Sequence, residues 1–146
     1  MLTIRTVLLR ETASLPTYGS DAAAGADLRA CLDAPVTIEP GQTVLIPTGI
    51  AVELPAGYAG LVYARSGLSV KRDLAPANKV GVIDADSRGE IFVPLHHHGQ
   101  NPQTVEHGER IAQMIVTACP AAEFVKSDAL SDTARGTGGF GSTGNK

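Results

Sequence analysis

Apolar residues along this chain come in short runs broken by turn-forming residues. The runs predict strands at Ile4–Leu9, Leu28–Leu32, Val36–Ile38, Thr43–Ile46, Ile50–Leu54, Gly60–Ala64, Val80–Ile83, Glu90–His96, Arg110–Thr117 and Glu123–Val125. Between them stand Glu39-Pro40-Gly41-Gln42, Pro47-Thr48-Gly49, Pro55-Ala56-Gly57, Asp86-Ser87-Arg88-Gly89 and Glu106-His107-Gly108-Glu109. Short runs with a turn every eight to twelve residues mark an all-β sandwich, jelly roll or barrel. Apolar and polar residues alternate imperfectly in Leu28-Arg29-Ala30-Cys31-Leu32, whereas Ile111 to Ala118 is nearly continuous and predicts a strand covered on both faces. One segment predicts a helix, Ser66–Arg72, with a hydroxyl residue at its start and cations at its end.

Composition narrows the picture. With 146 residues, one domain and a modest core are expected. The 16 glycines and 9 prolines demand many tight turns and argue against a helical bundle. The formal charge of −3 argues against a surface that grips a nucleic-acid backbone, yet a few placed arginines would still hold a small anion. No long apolar run follows a basic start, and no stretch approaches a membrane span, so neither a signal peptide nor a membrane partner is read and the expected location is cytoplasmic. Cys31 and Cys119 sit in apolar surroundings far apart in sequence and are expected to be reduced core thiols.

Five segments could carry chemistry. The last stretch, from Gly136 to Gly144, has five glycines in nine residues, which reads by default as a flexible tail. It nonetheless carries Phe140, one of three Phe in the chain, close after Arg135, and so suits folding over an anion while a ring stacks on a flat group. Arg65-Ser66-Gly67-Leu68 joins a strand to the helix and offers a hydroxyl, free amides and a guanidinium to a phosphate; the plain alternative is an ordinary cap beside a solvated arginine. In Gly81-Val82-Ile83-Asp84-Ala85-Asp86-Ser87-Arg88-Gly89 a carboxylate stands where a strand gives out, so Asp84 is the candidate general base and Asp86 a turn residue. The same pattern is also simply good turn chemistry. Asp27 opens an apolar run, and Gln113 interrupts another, either capping core backbone groups or pointing into a ligand site.

The run His96-His97-His98 does not read as a metal site, because strand neighbours point to opposite faces and only His96 and His98 share one.

In order and spacing the five segments Ala24–Leu28, Arg65–Leu68, Gly81–Gly89, Gly108–Ile115 and Arg135–Gly144 resemble the motifs of the trimeric dUTP diphosphatase (dUTPase) family, over nearly the whole chain. The resemblance implies an all-β, distorted jelly-roll β-barrel over residues 1–130, with one short helix, and a glycine-rich C-terminal arm over residues 131–146. It implies a homotrimer whose shared sites are closed by a neighbour's arm, and Mg²⁺-dependent hydrolysis of dUTP to dUMP and pyrophosphate, which keeps uracil out of DNA and supplies dUMP for dTMP synthesis. Asp84 would activate the water that attacks the α-phosphorus. Arg65, Ser66, Gly67 and Gln113 would bind phosphate oxygens, and Asp27 would hold waters on the Mg²⁺. Arg135 would reach the γ-phosphate, and Phe140, with Gly141 beside it, would stack on the uracil. Asn78 and the backbone at Gly81 and Ile83 would read the uracil edge.

At two positions the chain departs from the family. Ser87 stands where a tyrosine usually packs on the sugar and excludes a 2′-hydroxyl, and Asp73 stands where glycine is common. Three other readings stay open: a dCTP deaminase-type relative, a catalytically weakened nucleotide-binding regulator, and a purely structural barrel trimer.

Overall fold

A computed structural model describes residues 1–144. Twelve strands and one helix follow in chain order: β1 (Arg5–Leu8), β2 (Thr17–Tyr18), β3 (Ala26–Arg29), β4 (Val36–Ile38), β5 (Thr43–Pro47), β6 (Ile50–Glu53), β7 (Tyr58–Tyr63), α1 (Ser66–Lys71), β8 (Leu74–Pro76), β9 (Gly81–Ile83), β10 (Phe92–His97), β11 (Gln103–Val105) and β12 (Arg110–Ala118). All pairings are antiparallel, as expected for strands joined by tight turns. The largest sheet runs β2-β3-β12-β7-β9; the others are β5-β10-β8, β1-β6 and β4-β11. Their inner faces enclose a core of aliphatic side chains, among them Leu28, Ile38, Ile46, Ile50, Leu74, Leu95 and Ile111, with no Phe, Tyr or Trp among the fully buried residues described. The all-β jelly-roll expectation therefore holds.

Several local expectations need correction. Glu123–Val125 forms no strand; it lies in an exposed run after β12. Three strands that the apolar pattern did not show, β2, β8 and β11, are only two or three residues long and exist through their partners β3, β10 and β4. Helix α1 begins at Ser66, but the capping position is Arg65, and no side chain caps the helix. Cys31 is buried, whereas Cys119 is exposed just past β12 and is not a core thiol. In β12, Ile111, Ala112 and Met114 are buried, while the residues from Ile115 to Thr117 are half-buried, so double-sided coverage stops midway. Among the histidines, His97 is fully buried and His98 exposed, as opposite-facing neighbours require. Among the described residues no group of three or more His, Cys, Asp or Glu could hold a metal ion, and no helix is long and apolar enough to cross a membrane.

From Cys119 to Gly144 there is no strand or helix, and nearly every residue is exposed. Phe124, Leu130 and Phe140 are 97%, 91% and 114% exposed. The backbone bonds within Thr133–Gly144 are short turns such as Gly138 N–H to Arg135 O. The last two residues of the expected arm, Asn145 and Lys146, lie outside the described residues.

Candidate active site

The site grows from the middle of the five-stranded sheet. Asp27 on β3 faces Gln113 on β12, and Gln113 faces Tyr63 on β7, whose strand runs directly into Arg65 and α1. Asp27 is 7% exposed, so its carboxylate needs partners. It has two: the Arg65 Nε donates to Oδ1 at 2.8 Å, and the Arg110 Nη1 donates to Oδ2 at 3.2 Å. Charge-assisted bonds of this kind hold both guanidinium groups toward one cavity.

Gln113 does both of the things its position allowed. Its Nε2 donates to the Ala64 carbonyl at 2.9 Å, and the same side chain lines the cavity. One amide proton remains for a ligand. Gly25 makes this geometry available, since a Cβ there would stand 2.6 Å from the Gln113 Oε1. The first helical bond runs from Ser69 N–H to Arg65 O, so the amides of Ser66 and Gly67 have no intrahelical acceptor. Gly19, Gly25, Asp27, Arg65, Ser66, Gly67, Arg110 and Gln113 thus surround a polar cradle of about 210 Å³.

Arg110 had no assigned role at the sequence level. Three residues from Gln113, it would face away from the cradle in a regular strand. A β-bulge between Arg110 and Ala112, opposite Arg29 and Leu28, adds the residue that turns it back toward Asp27. Its only signal was a cation at the start of the apolar run, and a bulge cannot be read from that pattern.

The other expected site residues lie elsewhere. Asp84 follows β9, on the far edge of the sheet, two strands beyond β3's neighbours. Continuing the registers, it stands three strand spacings across and four residues along from Asp27, on the order of 20 Å away. Asp84 is exposed; only its backbone carbonyl is engaged, accepting from Ser87 N–H at 3.1 Å, and Arg88 braces the same turn through the Ala85 carbonyl at 2.7 Å. Asn78 is exposed before β9, and Gly81 packs so closely that a Cβ would lie 3.3 Å from Val62 and 3.4 Å from the Asn78 Nδ2. As an edge strand, β9 presents the unpaired backbone groups of Gly81–Ile83 along its outer side. Arg135, Phe140 and Gly141 are exposed in the arm and, among the described residues, make no hydrogen bond or ion pair with either region. The single chain therefore brings together Asp27, Arg65, Ser66, Gly67 and Gln113, and separates them from Asp84 and from the arm.

What the fold and cradle define is a β-barrel with a preformed polar cavity lined by two arginines and separate from Asp84. A family model described as dUTPase matches residues 11–144. Two curated relatives, each a deoxyuridine 5′-triphosphate nucleotidohydrolase, are similar over most of their length. That of Desulfitobacterium hafniense is 56% identical over 131 residues, covering 89% of this chain and 87% of the relative. That of Desulfotalea psychrophila is 50% identical over 134 residues, covering 92% and 89%. Among solved structures, a point mutant of the Staphylococcus bacteriophage 80alpha dUTPase with dUpNHpp superimposes with a TM-score of 0.91 at 26% identity, covering 99% of this chain and 100% of that one. A mutant dUTPase from phage phi11 of S. aureus, described for its coordination of a structural Mg(II) ion, shares the fold with a TM-score of 0.80 at 23% identity, covering 88% and 98%. The chain belongs to the dUTPase family.

Proposed function

We propose that the protein is a cytoplasmic homotrimer that hydrolyses dUTP to dUMP and pyrophosphate, with each active site assembled from more than one subunit. The observation that carries this reading is the separation of parts: a polar cradle built around Asp27, Arg65 and Gln113 in one chain, and the expected general base, Asp84, on the order of 20 Å away on the same sheet. A neighbour's Asp84 hairpin brought to the cradle gives the site both halves. The unattached arm then supplies Arg135 and Phe140 as a closing lid.

In this site Arg65, Ser66, Gly67 and Gln113 hold the triphosphate oxygens, and Arg110 reinforces Arg65 through their shared carboxylate. The edge of β9, with Asn78, Gly81 and Ile83, reads the uracil by backbone and amide hydrogen bonds, and Phe140 stacks on its face. Asp84 orients a water and takes its proton as the oxygen bonds to the α-phosphorus. The bond from that phosphorus to the bridging oxygen breaks, and pyrophosphate leaves with the bonding pair. Arginines positioned before reaction stabilise that leaving charge.

The donor set fits Mg²⁺ only in a particular way. Both oxygens of Asp27 are already engaged by arginines, and there is no carboxylate cluster among the described residues, so the chain suits an ion carried mainly by the triphosphate and reached by Asp27 through water. When bound, Mg²⁺ supplies further neutralisation of the phosphate charge.

The test is pyrophosphate release from dUTP, UTP, dCTP and dTTP in parallel, with Mg²⁺ and with excess chelator, alongside the mass of the assembly in solution. Mg²⁺-dependent release from dUTP by a trimer is expected. Ammonia release from dCTP would point to the deaminase-type relative, and a monomer that leaves dUTP intact would end the proposal.

A further inference from the structure

Beside the triphosphate cradle runs a second depression that the proposed reaction does not use. Arg29, Arg65, Lys71, Arg72 and Arg110 line it with a single carboxylate, Glu109, in a volume of about 400 Å³. This concentration of cations stands in a chain whose net charge is −3. Its framework is held in place: Arg72 donates to Glu109 at 3.0 Å, to Gln103 at 3.2 Å and to the Thr104 carbonyl, and Arg29 donates to the Gly108 carbonyl at 2.9 Å. Lys71 is exposed and makes no ion pair among the described residues. Arg65, Gly67 and Arg110 line both depressions, so whatever lies in this groove runs directly into the cradle.

The arm carries the matching chemistry. Between Lys126 and Arg135 it reads Ser127-Asp128-Ala129-Leu130-Ser131-Asp132-Thr133-Ala134, with two carboxylates and no cation. In an extended backbone Asp128, Leu130 and Asp132 fall on one side, acid, apolar, acid, over roughly 13 Å. None of the three has a partner in its own barrel, and Leu130 is 91% exposed.

We infer that the basic groove of one subunit receives the acidic segment 127–133 of a second copy, and that this docking delivers Arg135 and Phe140 to the neighbouring cradle. The inference rests on the shared-site reading above and adds the surface that guides the arm. Asp128 and Asp132 meet the cations around Lys71, while Leu130 lies on Leu68 and the aliphatic stems of the basic side chains. Arg135 follows Asp132 by three residues, a reach of roughly 10 Å, which matches the continuity of groove and cradle. The donor is a second copy because β12 begins at Arg110, on the groove wall, and carries the chain roughly 26 Å away before the arm starts. Returning to its own groove would need residues 119–127 to double back almost fully extended.

Chymotrypsin cleavage after Leu130, followed with dUpNHpp bound, reads the docking directly, and kcat/KM for dUTP is measured on the same samples. Protection in the unmodified protein is expected to be lost in Lys71→Glu and in Asp128→Lys/Asp132→Lys. A fall in kcat/KM of about 3- to 10-fold should accompany it, as a few half-exposed ion pairs allow. Combining both sets of changes in one chain should restore protection. Coexpressing the two variants should restore it in part, since mixed oligomers place a lysine-bearing arm on a glutamate-bearing groove only between chains. Unchanged cleavage in the single-sided variants, or simple additivity in the combined one, overturns the docking. Rescue in the combined chain without rescue in mixed oligomers overturns the second copy as donor. Both of these outcomes leave dUTP hydrolysis by the unmodified protein standing; a protein that does not hydrolyse dUTP overturns the underlying reading and the docking with it.

Discussion

The cradle and the Asp84 hairpin belong to one sheet, yet they are finished to different degrees. Around Asp27 both carboxylate oxygens are engaged, Gln113 is tied to the Ala64 carbonyl, and a glycine leaves room for the amide. Around Asp84 the side chain is exposed and unpaired among the described residues, and the strand beside it is an open edge. The arm is less finished still, with Phe140 in full contact with solvent. A preformed phosphate site needs its charges paired while it waits for ligand, or the buried carboxylate would be too costly. An exposed carboxylate and an exposed ring carry no such cost. Under the proposed function, the difference separates residues that serve both stability and binding from residues that serve the reaction alone.

Asp84→Asn should break the comparison most sharply. Removing a general base is expected to lower the rate of pyrophosphate release by about 10³-fold. The thermal unfolding midpoint should stay within about 1 °C, because the side chain makes no contact that unfolding would lose. Ending the chain after Thr133 comes next: kcat/KM for dUTP should fall by about 10²-fold with the midpoint again unmoved, read by calorimetry and steady-state kinetics. Loss of thermal stability in that truncated protein would show that residues 134–146 pack on a barrel, their own or a neighbour's, before ligand binds.

Asp27→Ala should behave in the opposite manner. It leaves Arg65 and Arg110 facing each other without an anion, at a cost of about 2 kcal/mol. For a chain of this size the midpoint should drop by about 6 °C, together with weaker dUTP binding by titration calorimetry. Unchanged stability here would mean that the cradle is no more finished than the hairpin. The smallest effect is expected at Ser87, which is exposed in the hairpin turn and stands where the family usually has a tyrosine. Ser87→Tyr should raise the ratio of dUTP to UTP turnover by about 10-fold, since a ring over the sugar leaves no place for a 2′-hydroxyl; equal ratios in the two proteins would dismiss that role.

Much of the barrel could be read from local pattern because its longer strands carry their own apolar runs. Val36–Ile38 and the cores of β6, β10 and β12 fall where the runs do. Leu74–Pro76 and Thr17–Tyr18 could not be read this way, since each is held by pairing with a distant strand and not by its own composition. Glu123–Val125 erred in the other direction: its residues favour a strand, but among the described residues it is exposed and pairs with none. In the cradle, Arg65, Ser66, Gly67, Asp27 and Gln113 were legible as residue types in motifs. Arg110 was not, because its direction depends on a bulge that exists only between two paired strands.

Residue types and their order were enough to establish an all-β fold and the likeness to a nucleotide-hydrolysing family, and to propose Asp27, Arg65, Ser66, Gly67 and Gln113 as residues of a triphosphate site. These follow from side-chain chemistry and short-range periodicity, which a linear chain carries with it. Which of those side chains meet was decided in three dimensions. Strand order put Asp27 beside Gln113 and three strand spacings away from β9, and a bulge turned Arg110 inward. Pairing of distant strands sets those distances, and it is absent from any local stretch of the chain.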